Sequence, residues 1–216
     1  MSSECLLLLL PLAKVFESAF DQMKWSFVLL FLLVIAANGQ QFPNIRDQLL
    51  QMEKVDQDAR TKCSNGTADE QIKCLAEISK AIDEPNTKRI TEIFDQIGFP
   101  NTAKVGKEGL QAFMTLLQHA PTDELRVRSL KPITKAFKNK EIPPMAYANF
   151  FDRLRLHQGK KQLYGSGFEL RDGKLVMNPT EDIKNLEKRR RKIGLPPMAE
   201  YIKGLEEMYH LKAVYP

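Results

Sequence analysis

The stretch that decides the fold is GKEGLQAFMTLLQHA, residues 106–120. Its apolar side chains cover nearly the whole circumference of a helix; they are Leu110, Ala112, Phe113, Met114, Leu116, Leu117 and Ala120. A helix that is apolar on every side belongs at the centre of a helical domain. Gln118 and His119 finish this apolar run, and Pro121 stops it. We therefore predict a compact, mainly α domain built around this helix, with a polar pair at its end.

The neighbouring segments carry the same helical spacing of apolar residues. Helices are predicted over residues 44–63, 68–82 and 86–97, then after Thr122, after Pro143, and twice between residues 181 and 209. Pro85 is expected to interrupt the chain between the second and third of these helices, because proline lacks a backbone N–H. Gly98 is expected to cap the third helix.

One segment departs from this helical pattern. KQLYGSGFELRDGKLVMNP, residues 161–179, alternates polar and apolar residues and carries Asp172-Gly173 at its centre. This pattern predicts a β-hairpin near residues 162–177 with a tight turn. Gly165 and Gly167 lie just before its strands, and such glycines indicate a backbone turn or a close approach to a ligand.

The N-terminal segment has the three parts of a secretory signal. MKWSFVLLFLLVIAANGQ, residues 23–40, begins with a lysine, continues with a 13-residue apolar run and ends in small residues. The run is shorter than the roughly 20 apolar residues that span a bilayer. We predict a cleaved signal over 23–39, with an uncleaved anchor as the alternative, and no stable membrane span. Residues 1–22 are then an upstream extension or a misassigned start, and residues 40–216 are a single helical domain.

Cysteine usage agrees with export. Cys63 and Cys74 form one even pair in the predicted mature chain, and a disulfide between them would staple a helix–loop–helix corner. Asn65 lies between them in Asn-Gly-Thr, which is an N-glycosylation acceptor. The alternative is a pair of free thiols in a cytosolic chain.

Charge and motif content exclude several classes of function. The formal net charge is +5, but no zinc-finger or RNA-binding signature accompanies it, so no nucleic-acid partner is predicted. The basic run at residues 187–192 is most simply a solvated helix face, with a polyanion-binding patch as the alternative. The three histidines lie far apart in sequence, and we expect neither a metal nor a cofactor.

Two pairs of residues are candidates for chemistry. Gln118 and His119 end a helix surrounded by core, where an unpaired polar group costs roughly 1–3 kcal/mol. His119 is either an acid or base or a structural histidine that bonds a carbonyl. Asp152 and Arg153 are either a surface pair or, if they turn inward, an orienting carboxylate for His119 and a fork around an anion.

Short motifs in a fixed order give the chain a family resemblance. They are DQDAR at 56–60, NTKRI at 86–90, Gly98-Phe99-Pro100, Val105-Gly106, Gln118-His119-Ala120, Asp152-Arg153, GKKQLYGSG at 159–167, and Arg189-Arg190 before Gly194-Leu195-Pro196. In this order the chain resembles a mainly helical domain family of unknown function that is common in bacteria. It departs from the family pattern at Gly167, where a glutamine is usual, and Cys63, Asn65 and Cys74 are additions that suit secretion.

The resemblance implies one polar set drawn from separate elements: Gln118, His119, Asp152, Arg153, Gln162 and Tyr164. Asn86 and Arg89, from the second motif, are further candidates for ligand binding. The resemblance implies no reaction. The leading hypothesis is a secreted domain that binds a small polar or anionic ligand around Gln118 and His119. One alternative is a hydrolase or lyase that uses His119 with Asp152 and Arg153. The other is a secreted interaction protein whose polar network only stabilises the fold.

Overall fold

The computed structural model describes residues 41–63 and 66–215. The predicted leader, the upstream extension and Asn65 lie outside these described residues. In chain order the helices are α1 Pro43–Cys63, α2 Ala68–Ile78, α3 Glu84–Ile97, α4 Thr102–His119, α5 Glu124–Lys138, α6 Pro144–His157, α7 Leu186–Lys192 and α8 Met198–Tyr209. The predicted mainly α class is confirmed. Within the described part of the chain, no helix is long and apolar enough to cross a membrane.

Helix α4 is the central element, as its apolar circumference predicts. Phe113 and Leu117 are fully buried, and α1, α3 and α6 pack against the helix. Asn101 begins it by accepting a hydrogen bond from the backbone N–H of Lys104. Gly109 lies where α1 approaches, because a Cβ there would come within 3.4 Å of the Arg46 side chain. The central helix thus fixes the position of α1, and with it the side chains that α1 brings towards His119.

The chain does not break at Pro85, so the predicted interruption is wrong. A π-helix, Ser79–Asp83, joins α2 to α3 without a loop. Pro85 is the second residue of α3 and follows the π turn directly, where the regular i→i−4 hydrogen bonding of the helix is already interrupted. The wider π turn changes which face of the helix its residues occupy, and this rotation places Asp83 among buried residues.

The predicted hairpin is confirmed. Strand β1, Phe168–Arg171, pairs antiparallel with β2, Lys174–Met177. Asp172 and Gly173 both adopt positive φ, 49° and 70°, as a type I′ turn requires. A third strand, β3 Ala213–Val214, lies parallel to β2 and was not predicted.

The disulfide is present between Cys63 and Cys74, and it joins the end of α1 to α2. The prediction of a stapled corner is therefore confirmed. Helix α2 buries little of its own surface, and Ile72 and Leu75 remain exposed. Its start is held by a capping box, in which Thr67 and Glu70 bond each other's backbone N–H. The disulfide between Cys63 and Cys74 therefore attaches α2 to α1, where buried apolar surface contributes little.

Candidate functional site

His119, the last residue of α4, is held by a carboxylate from α1. Its Nδ1 lies 2.9 Å from Oδ2 and 3.1 Å from Oδ1 of Asp56. Asp56 is fully buried and also accepts hydrogen bonds from Gln57 Nε2 at 2.7 Å and Arg60 Nε at 3.1 Å. An ionised carboxylate only accepts hydrogen bonds, so Nδ1 of His119 carries a proton. Nε2 is then the ring nitrogen left for other partners.

Arg60 connects this pair to a second buried carboxylate. Its Nη2 donates to Oδ1 of Asp83 at 2.6 Å. Ligand atoms of Asp56, Asp83 and His119 all lie within 4.8 Å of one another. We call these three residues and Arg60 the Asp–His cluster. Asp83 reaches it from the π-helix, and π turns recur at functional sites.

The two carboxyl groups of the cluster are tuned in opposite directions. Burial alone would raise the pKa of Asp56, but the hydrogen bond and charge of His119, the charge of Arg60 and the bond from Gln57 together lower it. Burial raises the pKa of Asp83, and Asp56 adds to that rise, while Arg60 and His119 oppose it. Adjacent acids with diverging pKa values are typical of proton-transfer sites and also occur in structural networks.

The donor set of the cluster resembles that of a cation site, but both oxygens of Asp56 and Oδ1 of Asp83 already accept hydrogen bonds. Asp56 accepts from three side chains, and Asp83 accepts from Arg60. The guanidinium of Arg60 bridges both carboxylates and supplies the positive charge that a metal ion would bring. A divalent ion would have to displace it, so the geometry favours a proton-bearing network over a metal centre.

A cavity of about 360 Å³ lies beside the cluster. Both Gln118 and His119 line it, together with residues of α1, α4, α6 and the turn before α6. The polar residues in its wall are Gln57, Lys107, Gln111, Thr115, Gln118, His119, Glu141 and Asn149. Amides predominate in this wall, and a single lysine and a single glutamate accompany them.

Gln118 is lightly engaged within the protein. Among the described residues its side-chain amide makes one hydrogen bond, from Nε2 to the carbonyl of Asn149, at a long 3.4 Å. Its backbone carbonyl accepts from Arg126, which anchors the end of α4. The amide group therefore faces the cavity with most of its hydrogen-bonding capacity unused.

Asp152 lies elsewhere and does not orient His119 as we expected. Its buried carboxylate accepts from the backbone N–H groups of Leu163, Tyr164 and Ser166, and from the Ser166 hydroxyl. The physical reason is that the glycine-rich loop after α6 presents these donors to the inner face of α6. Asp56 takes the place beside His119 instead.

Gln162 and Tyr164 belong to the same fastened loop. The buried amide of Gln162 donates to the carbonyls of Gly167 and Asn178 and accepts from the Gly167 N–H. The ring of Tyr164 packs against two aromatic residues of α6, and Arg190 donates to its carbonyl. The structure thus places Gln118 and His119 at the cavity, as the cavity group, and Asp152, Gln162 and Tyr164 together at the loop after α6, as the loop group.

Asn86 and Arg89 lie on α3. Arg89 donates to Gln48 at 2.7 Å and to Glu92 at 2.8 Å, and neither Asn86 nor Arg89 lines the cavity. The Asn86 Nδ2 atom is buried and has no hydrogen-bond partner among the described residues. A ligand contact by either residue remains a prediction.

Sequence reasoning left three residues of the cluster off the list of site residues. Asp56 and Arg60 were visible as an Asp-x-x-x-Arg motif, whose i,i+4 spacing places both on one face of α1. The position of Asp83 could not be predicted, because the spacing of apolar residues in the sequence does not reveal a π turn.

Fold and site together define a class: a disulfide-stapled, mainly α domain with a small three-stranded sheet and a cavity beside a partly exposed histidine that is bonded to a buried aspartate. The chain belongs to the Family of unknown function (DUF6624), whose model matches residues 43–214. The predicted resemblance to a helical family of unknown function is thereby confirmed. Comparison with curated proteins and with solved structures gave no match.

Proposed function

We propose that the protein is a secreted domain that binds a small polar or anionic ligand in the cavity around Gln118 and His119. The observation that carries the proposal is that both side chains line one cavity of about 360 Å³. Sites for small molecules have volumes of roughly 300–1,000 Å³ and place a few polar groups at fixed positions. His119 is such a group, because the hydrogen bond from its Nδ1 to Asp56 fixes the orientation of the ring.

The free hydrogen-bonding capacity of the wall supports a polar ligand. Among the described residues, the side-chain amide of Gln118 makes a single long hydrogen bond, and Nε2 of His119 makes none. A ligand with hydrogen-bonding groups would pair with these atoms in a partly desolvated setting, where each bond to a neutral group contributes roughly 0.5–1.5 kcal/mol.

Secretion is supported by the disulfide between Cys63 and Cys74, because such bonds persist in oxidising compartments. The signal-like sequence before Gln41 and the acceptor sequence at Asn65 point the same way. Mass spectrometry of the intact product from secreting cells, with and without reductant and glycosidase, tests all three features. Cleavage near Gly39, one disulfide and one glycan are expected; recovery of Met1 in the exported product would contradict the signal peptide.

An enzyme is the second candidate, and the hydrogen bond from His119 to Asp56 favours it. A carboxylate on Nδ1 fixes the tautomer and leaves Nε2 to accept or donate a proton at the cavity, as in acid–base catalysis. Asp83, whose pKa is raised by burial, is an adjacent proton carrier. A hydrolase or lyase would use these groups, with Arg153 holding an anionic part of the substrate.

A screen of small polar and anionic compounds by thermal shift tests the proposed function. Compounds that stabilise the protein are then measured against His119→Gln and Gln118→Leu. The control is His210→Gln, which changes an exposed histidine outside the cavity. We expect binding to be lost in the first two variants and kept in the control. If all variants bind equally, or if no compound binds, the network is structural. Recovery of the bound compound unchanged separates a binder from an enzyme.

A further inference from the structure

Arg153 continues the face of α6 that lines the cavity. Ala146 and Asn149 both line it, and Arg153 follows Asn149 by four residues and Ala146 by seven. Residues at these spacings share one face of a helix. Arg153 therefore lies on this face of α6, one turn beyond Asn149 in the cavity wall.

The neighbouring guanidinium groups are already paired. Arg60 bonds the carboxylates of Asp56 and Asp83. Arg126 is fully buried, and it pairs with Asp123 and donates to the backbone carbonyls that end α4. Arg153, in contrast, has neither a hydrogen bond nor an ion pair with any described residue.

Arg153 is exposed to solvent, so its guanidinium is accessible to a ligand. Desolvation by the surrounding protein lowers the pKa of Arg153, the charges of Arg126 and Arg60 lower it further, and Asp123 opposes them. Arg126 and Arg60 therefore lie near Arg153, but their charges are balanced by the carboxylates that they bond.

We propose that Arg153 binds an oxyanion, the carboxylate or phosphate end of the ligand whose polar body occupies the cavity. This inference rests on the proposed function and adds the chemical class of the ligand. The planar fork of a guanidinium bonds two oxygens of a carboxylate or a phosphate at once. Of Arg60, Arg126 and Arg153, Arg153 is the one whose guanidinium bonds no described residue. Gln118 and His119 would then contact the uncharged part of the same molecule.

The experiment is a titration of the purified protein with inorganic phosphate and, separately, with succinate, at constant ionic strength. Heteronuclear NMR follows the Nε–H resonance of Arg153, and calorimetry gives the dissociation constant. The variants are Arg153→Gln, Arg153→Lys, which keeps the charge without the fork, and Arg191→Gln. Arg191 is an exposed cation on α7 and serves as the matched control for net charge.

We expect at least one of the two oxyanions to shift the Arg153 resonance. Arg153→Gln should weaken its binding by about tenfold or more, since bonds to charged groups are the strong ones, and Arg153→Lys should fall between this variant and the natural protein. Arg191→Gln should change binding less than about twofold, because exposed charges act only weakly through solvent. Which oxyanion binds identifies the source, carboxylate or phosphate.

Two results would overturn the inference: equal affinity of Arg153→Gln and the natural protein, or an Arg153 resonance that neither oxyanion moves. This failure is distinguishable from failure of the proposed function. If neutral polar compounds still bind and Gln118→Leu abolishes their binding, the cavity stands and only the oxyanion assignment falls. If phosphate or succinate binds at Arg153 and Gln118→Leu changes no binding, the oxyanion site stands without the cavity.

Discussion

Replacing Asp56 by asparagine removes the charge at the centre of the Asp–His cluster and keeps the shape of the side chain. Three side chains, His119, Gln57 and Arg60, share this carboxylate, and asparagine leaves them one acceptor oxygen instead of two. Arg60 keeps its 2.6 Å bond to Asp83 and is partly exposed, with 23% of its side-chain surface accessible, so it is not stranded. The new amide nitrogen, however, faces donors on every side.

The structure sets the size of the effect. Leaving a buried polar group unpaired costs roughly 1–3 kcal/mol, and no isolated buried charge remains, because His119 and Arg60 have 21% and 23% of their side-chain surfaces accessible. We therefore expect the free energy of unfolding to fall by about 2 kcal/mol. For a chain of this length, the melting temperature should then fall by roughly 4–8 °C.

Urea unfolding at pH 7 measures the change, provided that the slope with urea concentration stays the same. Asp58→Asn is the matched control, since Asp58 lies two residues later on α1 and pairs with Lys54 at the surface. Exposed pairs of this kind contribute roughly 0–1 kcal/mol. If Asp56→Asn costs no more than Asp58→Asn, the cluster is not the buried, mutually bonded group described above.

Three further predictions concern pH, the disulfide and the loop group. The pKa of Asp56 is lowered in the folded protein, so the stability that its carboxylate contributes is lost as pH falls below the reference pKa of 3.8. The pKa of Asp83 is raised, so stability is lost as pH rises above 3.8. Unfolding measured from pH 2 to 7 should therefore show a smaller acid loss in Asp56→Asn, and a smaller decline above pH 3.8 in Asp83→Asn, than in the natural protein. Replacing Cys63 and Cys74 by serine should cost about 3 kcal/mol by chain entropy, with faster hydrogen exchange in α2; unchanged stability would contradict this. Asp152→Asn should speed exchange of the Leu163 and Tyr164 amides and leave the imidazole resonances of His119 in place; shifts confined to His119 would contradict the division into two groups.

The sequence predicted the elements whose causes are local. The apolar circumference of 106–120 made α4 central, and Asp172-Gly173 set the hairpin turn, because both features act within a few residues. Strand β3 was not predicted because a strand of two residues shows no alternating pattern of polar and apolar side chains. Its pairing with β2 depends on the position of the chain after α8, which is set by tertiary packing.

The site was predictable in part. Gln118 and His119 were expected to face a pocket because a polar pair ends an apolar helix, and both line the cavity. The carboxylate beside His119 was misassigned to Asp152. The sequence does not distinguish Asp56 from Asp152 as the partner of His119, because only tertiary packing decides which aspartate reaches the histidine. Asp56 meets the end of α4, whereas Asp152 meets the backbone donors of the loop after α6.

Nitrogen-15 NMR of the His119 imidazole, during titration with the compound that gives the largest thermal shift, tests whether His119, held by Asp56, forms the wall of a ligand site. A protonated Nδ1 that stays bonded to Asp56 is expected, together with an Nε2 resonance that moves and saturates with the dissociation constant measured by calorimetry. An Nε2 resonance unchanged at full saturation of the protein would rule out a ligand contact at His119.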